Sequence, residues 1–193
     1  MDNIYLSIII PAYNEEKRIP ETLKKIKAYL KDQSYSWEII VVNDGSKDNT
    51  AQVVQGIALQ DENIRLIDNK KNNGKGYVVR QGLLEAKGDY RVFMDADNST
   101  SVDHVEKMFP EFKNGYDVVI GSRDIKGAKL AIPQSWFRRK VGDIFNLLVQ
   151  FLCGLWGIWD TQCGLRVLQE NVLQKLFLNV GLIGLLLIQK FWL

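Results

Sequence analysis

The sequence is poor in the residues that build metal clusters, disulfide frameworks and membrane spans. It has one histidine and two cysteines in 193 residues. Cys153 and Cys163 fit neither a metal-ligand spacing nor a disulfide framework. Reduced thiols in a cytosolic protein are the expected state. No apolar stretch reaches the ~18 residues of a spanning helix. The longest uncharged run, 144-IFNLLVQFLCGLWGIW-159, falls short of that length. The N-terminus, MDNIYLSIII, opens on an acid and enters a strand-like run, so it does not read as a signal peptide.

What is present divides by charge. Residues 1–122 hold 16 Lys+Arg against 19 Asp+Glu, a net −3, and residues 123–193 hold 9 against 4, a net +5. The second part also carries Trp136, Trp156, Trp159 and Trp192, four of the five tryptophans. A basic, Trp-rich end on a near-neutral body points to an anionic partner such as a membrane surface. The interleaved basic and aromatic run 126-KGAKLAIPQSWFRRK-140 also suits nucleic acid. Its position before an apolar segment favours a lipid phosphate, so no nucleic-acid partner is expected.

Five β-rich runs recur: 6-LSIII-10, 38-EIIVV-42, 64-IRLI-67, 90-YRVFM-94 and 117-DVVI-120. Helical patterns separate them, as in 21-ETLKKIKAYLK-31, where Leu23, Ile26 and Leu30 recur on one face. Further helices are expected over 49–60, with Asp48 as its cap, over 77–87, ending at Gly88 as a C′ glycine, and over 102–109. This alternation predicts an α/β fold, a doubly wound and mostly parallel sheet with helices on both faces. Ligands in such sheets gather at the carboxyl ends of the strands.

Those ends read 11-PAYNEE-16, 43-NDGS-46, 68-DNKKNNGKG-76, 95-DADNST-100 and 121-GSRD-124. Five polar loops on one edge suggest a nucleotide-sized site. Neither the dinucleotide fingerprint nor the Walker spacing is present. Gly74-Lys75-Gly76 therefore reads as a helix-start turn or a ligand contact. Asp44, in an Asp-Gly turn at a strand end, is turn chemistry or a binding residue. Asp95 and Asp97 stand one residue apart at the end of a buried run. Two anions so close stay ionised when a cation sits between them, and carboxylate oxygens suit Mg²⁺ or Mn²⁺. The bland reading is an acidic loop capping the next helix. His104 reads as a surface residue, and Cys163 has no base partner in sequence.

Taken together, SIIIPAYNEE, VVNDGSKDNT, NNGKGYVVRQG, FMDADNST, VVIGSRD and DTQCGLRVL resemble the inverting family 2 glycosyltransferases with the GT-A fold. Within that family, DADNST, the Arg138-Arg139 pair and 160-DTQCG-164 look most like dolichyl-phosphate and polyprenyl-phosphate β-glucosyltransferases. The resemblance implies a catalytic domain over residues 1–168 that takes a UDP-sugar donor and a polyprenyl or dolichyl phosphate acceptor. It implies that Pro11, Ala12, Tyr13 and Glu15 line the uridine pocket, that Asp44 contacts the base, and that Lys75 and Gly76 approach the donor. Asp95 and Asp97 match the metal-holding D-x-D pair. Arg123, Arg138 and Arg139 would face phosphates, and Asp160 would stand beside the acceptor. The implied location is peripheral, at the cytoplasmic face of a membrane.

Residues 169–193 depart from the family pattern. They end on the apolar 179-NVGLIGLLLIQKFWL-193, without the acidic residue expected there. A shortened or altered C-terminus, with donor binding kept and transfer reduced, is therefore one expectation. A family member with a sugar-hydroxyl acceptor is another. A haloacid-dehalogenase-type phosphatase, which also carries D-x-D, is a third, although there the motif follows the first strand.

Overall fold

A computed structural model describes residues 4–97, 100–121 and 165–170. The five expected runs all form strands: β1 (Leu6–Ala12), β2 (Trp37–Asp44), β3 (Ile64–Asn69), β4 (Tyr90–Phe93) and β5 (Val118–Ile120). Among the described residues a sixth, β6 (Arg166–Gln169), joins them in a sheet of order β3-β2-β1-β4-β6-β5. The first four strands are parallel, and β6 runs antiparallel to both β4 and β5. The sequence reading missed β6. Its four residues, RVLQ, hold only two apolar side chains and no alternation, and pairing with β4 and β5 is what makes them a strand.

Alternation along the central strands builds two cores. Leu6, Ile8 and Ile10 of β1, with Ile39 and Val41 of β2, face α1 (Ile19–Lys31) and α2 (Thr50–Ala58). Ile9, Ile40 and Val42 face α3 (Lys75–Glu85) through Val78, Val79 and Leu83. Helices thus cover both faces, because β1 and β2 are apolar on both. Each of these fully buried side chains contributes roughly 1.5–3 kcal/mol. Gly82 lets α3 lie directly on the sheet, since a Cβ there would come within 2.4 Å of Ile9 Cγ2.

Two helix boundaries differ from expectation. Residues 102–109 do not form one helix: a 3₁₀ turn spans Val102–Val105, and α4 (Phe109–Lys113) starts afresh. Pro110 has no N–H to donate to Glu106, so a continuous ladder is interrupted there. Gly88 is not a C′ glycine, because α3 ends at Glu85 and Ala86 is already extended. Its missing side chain serves packing instead: a Cβ would lie 2.6 Å from the Ser7 amide nitrogen. The N-cap of α2 is Asn49 rather than Asp48, although Asp48, one residue earlier, accepts from the Thr50 amide at 3.0 Å.

The amino ends of the strands carry a buried polar network. Glu38 on β2 accepts from the Ser7 hydroxyl (2.7 Å), the Lys87 amide (2.7 Å) and Arg65 Nε (3.0 Å). Arg91 on β4 donates to the Leu83 and Gly88 carbonyls and pairs with Glu170. Burial pushes the Glu38 carboxyl up, but the bonds from Ser7, Lys87 and Arg65 outweigh it and hold the group below its ordinary value of 4.5. A depressed folded-state value means that the stability it contributes is present above pH 4.5 and lost as pH falls through the folded value. Glu38→Gln sets an amide against the Arg65 donor. It is expected to cost about 2–3 kcal/mol at pH 7. The gap from wild type should close as urea titrations descend below pH 4.5. A gap that persists unchanged into acid would show that Glu38 charge is not what stabilises this end.

Candidate active site

The opposite, carboxyl edge is where the polar loops converge. Leaving β1, the chain turns at Asn14, whose φ of 57° lies in the left-handed region that Asn tolerates better than most residues. That turn is stitched to the loop after β2. The Asn14 amide donates to Ser46 Oγ (3.0 Å) and the Lys47 amide to Asn14 Oδ1 (2.8 Å). The Glu15 amide donates to Thr50 Oγ1 at 2.8 Å, and the Asn49 amide to Glu16 at 2.9 Å. The small polar residues of PAYNEE and NDGSKDNT are therefore what holds the two loops side by side.

Asp44 joins the third loop to these two. It is buried, and its two carboxylate oxygens accept the amides of Asn73 (2.7 Å) and Gly74 (3.0 Å). Gly74, with φ 88° and ψ 153°, occupies a region essentially reserved for glycine and directs the chain into α3. Asn43 supports the same edge, donating to Asp68 at 2.7 Å. Hydrogen bonds from Lys70 and Asn43 hold the Asp68 carboxyl below the usual carboxylate range.

From the first turn of α3, Lys75 reaches across to β4. Its Nζ lies 2.6 Å from Asp95 Oδ1 and 5.2 Å from the centroid of the Phe93 ring. The ammonium thus gives Asp95 a counter-charge at ion-pair distance. β1 and β4 are neighbours, and the chain order of the parallel strands reverses between β2 and β4 on either side of β1. The carboxyl ends at such a switch point leave a crevice.

That crevice is a cleft of about 340 Å³ whose lining includes Pro11, Ala12, Tyr13, Glu15, Asp44, Lys75, Asp95 and Asp97. Eight of the residues singled out in the sequence meet in one place. Gly76 is not on the lining. Arg123, Arg138, Arg139 and Asp160, and the apolar segments around residues 144–159 and 171–193, lie outside the described residues. His104 is exposed, as expected of a surface residue.

Arg18 also lines the cleft and was missed. It stands just before α1 and clasps Glu15, with Nε 2.6 Å from Oε2 and NH2 2.9 Å from Oε1. The signal in sequence was the charge pair three residues apart in 15-EEKR-18.

The carboxylates suit a hard divalent cation. Asp95 and Asp97 offer only oxygen ligands, and among the described residues no group of three His, Cys, Asp or Glu side chains gathers anywhere. Two carboxylates on an open cleft leave most of a six-coordinate shell to water and to oxygens of a bound anion, the arrangement Mg²⁺ favours.

The family model described as Glycosyl transferase family 2 matches residues 7–177. The dolichyl-phosphate beta-glucosyltransferase of Dictyostelium discoideum is 38% identical over 189 residues, covering 92% of this chain and 58% of that protein. The enzyme of the same name from Homo sapiens is 34% identical over 185 residues, covering 89% of this chain and 57% of its own length. The chain therefore spans somewhat more than half the length of the curated relatives it matches. Among solved structures, glucosyl-3-phosphoglycerate synthase from Mycobacterium tuberculosis superposes with a TM-score of 0.62 at 20% identity, covering 88% of this chain and 57% of that one. Mannosyl-3-phosphoglycerate synthase from Rubrobacter xylanophilus gives 0.62 at 18% identity, covering 88% and 54%. The fold is of the GT-A type, and the phosphatase alternative falls away because D-x-D here follows the fourth strand of that fold. By its matched residues 7–177 the chain belongs to glycosyl transferase family 2.

Proposed function

We propose that this chain binds a UDP-sugar together with Mg²⁺ or Mn²⁺ and transfers the hexose, glucose as first choice, to a dolichyl or polyprenyl phosphate with inversion. The observation that carries the reading is the single cleft shared by Pro11, Tyr13, Asp44, Lys75, Asp95 and Asp97. Support for the donor comes from the mycobacterial neighbour, solved in complex with Mn²⁺ and uridine-diphosphate-glucose. Support for the acceptor comes from relatives named dolichyl-phosphate beta-glucosyltransferase.

In this reading Tyr13, Glu15 and Asp44 accommodate the nucleoside. Asp95 and Asp97 hold the cation, which when bound neutralises charge developing on the departing diphosphate. Lys75 is proposed to exchange its bond to Asp95 for one to a donor phosphate, a reading its 2.6 Å pairing with Asp95 supports. An acceptor phosphate monoester has a second pKa of about 6, so at neutral pH it attacks largely as the dianion. One acceptor oxygen bonds to the anomeric carbon from the face opposite the leaving group. The bond from that carbon to the diphosphate oxygen breaks, and the diphosphate takes the electron pair. No proton has to move, so no general base is required. Arg123, Arg138 and Arg139 are proposed to offset the repulsion between the two anions, since guanidinium pairs well with phosphate oxygens. Asp160 is proposed to orient one of them. A lipid acceptor would put the protein peripherally at the cytoplasmic face of a membrane, and the net positive charge and tryptophans of residues 123–193 are proposed to supply the attraction to it.

The test is a donor panel assayed with dolichyl phosphate or a free oligosaccharide as acceptor, with and without Mn²⁺. UDP-glucose consumed only with lipid phosphate and metal is the expected result. Transfer to the oligosaccharide alone would replace the acceptor, and failure to bind UDP in calorimetry would remove the donor site.

A further inference from the structure

The peptide between the two carboxylates is held from outside its own loop. Thr22, in the second turn of α1 and 4% exposed, donates its hydroxyl to the Ala96 carbonyl at 2.6 Å. The bond joins positions 74 apart in the sequence. A threonine inside a helix commonly turns its hydroxyl back to the carbonyl four residues earlier. That carbonyl, of Arg18, accepts the Thr22 amide at 3.1 Å, while the hydroxyl points away to Ala96.

Thr22 shares its helix face with Ile19, Leu23, Ile26 and Leu30, all buried. A hydroxyl in such surroundings costs stability unless it is bonded, and valine would fill the same volume without that cost. The bond to Ala96 is what a threonine offers here. On the other side of Asp95, the Met94 amide donates to the Ile9 carbonyl at 3.1 Å. Asp95 is therefore bracketed by β1 before it and by α1 after it. Rotation of the peptide after Ala96 would swing Asp97 relative to Asp95, and the Thr22 bond opposes that rotation.

We propose that Thr22 is a positioning residue, whose hydroxyl fixes the Ala96 carbonyl and so sets the mutual orientation at which Asp95 and Asp97 take a divalent cation. This rests on the metal reading of that pair given above. Two carboxylates supply few of the ligands, so a small change in their orientation should be felt directly in affinity.

The experiment measures Mn²⁺ affinity at saturating UDP, from the electron-spin-resonance signal of free Mn²⁺, on the full chain and on Thr22→Ser, Thr22→Ala and Thr22→Val. Thermal melting is recorded beside it. The serine and alanine variants both lose the methyl group and differ only in the hydroxyl. Thr22→Ser is expected within twofold of wild type, and Thr22→Ala and Thr22→Val about tenfold weaker, on the scale of a perturbed outer-shell partner. Equal affinity in all four, with melting lowered in the variants that lack the hydroxyl, would make Thr22 a structural residue only and overturn the proposal. Thr22→Ser weakened as much as Thr22→Ala, or folding lost in both hydroxyl-free variants but not in serine, would overturn it as well. A wild-type chain that binds no Mn²⁺ with UDP would instead fail the metal reading itself, and the wild-type titration alone distinguishes that case.

Discussion

Asp95→Asn is expected to lower transfer from UDP-glucose by about 10³-fold, the scale seen when one group that stabilises developing charge is removed. Asparagine keeps the shape of the side chain and can still accept from Lys75, so the change removes charge and little else. The site would lose half of its anionic ligands. Mn²⁺-dependent UDP binding should weaken alongside the rate, and Asp97→Asn should behave in the same way. The fold should survive, because Asp95 is only half-buried and the chain just before it is anchored by the Met94 amide to the Ile9 carbonyl. Melting followed by circular dichroism is expected to change little, since relief of the repulsion from Asp97 offsets the loss of a partly exposed ion pair with Lys75. Full transfer in excess EDTA, or by the Asp97→Asn protein, would rule out the metal role.

The second large effect is on stability and reaches the site through the backbone. Gly45 follows β2 with φ +66°, and a Cβ there would lie 2.5 Å from the Lys71 carbonyl carbon and 2.7 Å from the Asn72 nitrogen. Gly45→Ala meets two costs: about 1–2 kcal/mol for a left-handed alanine, and about 1–3 kcal/mol for overlap with backbone that must move. The segment that moves is the one whose amides bond Asp44 and which delivers Lys75 to Asp95. A loss of about 2–5 kcal/mol in urea denaturation is expected from those terms together. UDP affinity should fall with it. Gly56→Ala is the control. That glycine lies in α2, where an added Cβ would meet nothing within 4 Å, and the exchange should stabilise the protein by about 0.5–1 kcal/mol. If Gly45→Ala were as stable as Gly56→Ala, the contact between the loops after β2 and β3 would not be made.

The sheet was legible because its strands are apolar runs of the right length between amphipathic helices. Leu23, Ile26 and Leu30 recur at helical spacing, and all three are buried in α1. What escaped the sequence was of two kinds. β6 is four residues whose conformation depends on neighbours 70 or more positions away on β4, a pairing no local pattern encodes. The boundaries at Gly88 and Pro110 turned on packing and on one missing hydrogen-bond donor, where residue type alone supports more than one structure.

The site divides along the same line. Composition and spacing determined that acids, small polar residues and a Gly-Lys-Gly turn stand at consecutive strand ends, because strand periodicity fixes where each strand stops. Only the tertiary structure decided what those groups do to one another. Parallel pairing of β1 with β4 brings Tyr13 and Asp95 to one cleft across 82 positions of sequence. The amides of Asn73 and Gly74 take both oxygens of Asp44, Lys75 comes to rest on Asp95, and the Thr22 hydroxyl finds Ala96. These are hydrogen bonds and ion pairs between remote segments. Their geometry is set by the order of strands in the sheet and by how closely the helices lie on it, quantities that belong to the folded chain and to no stretch of it alone.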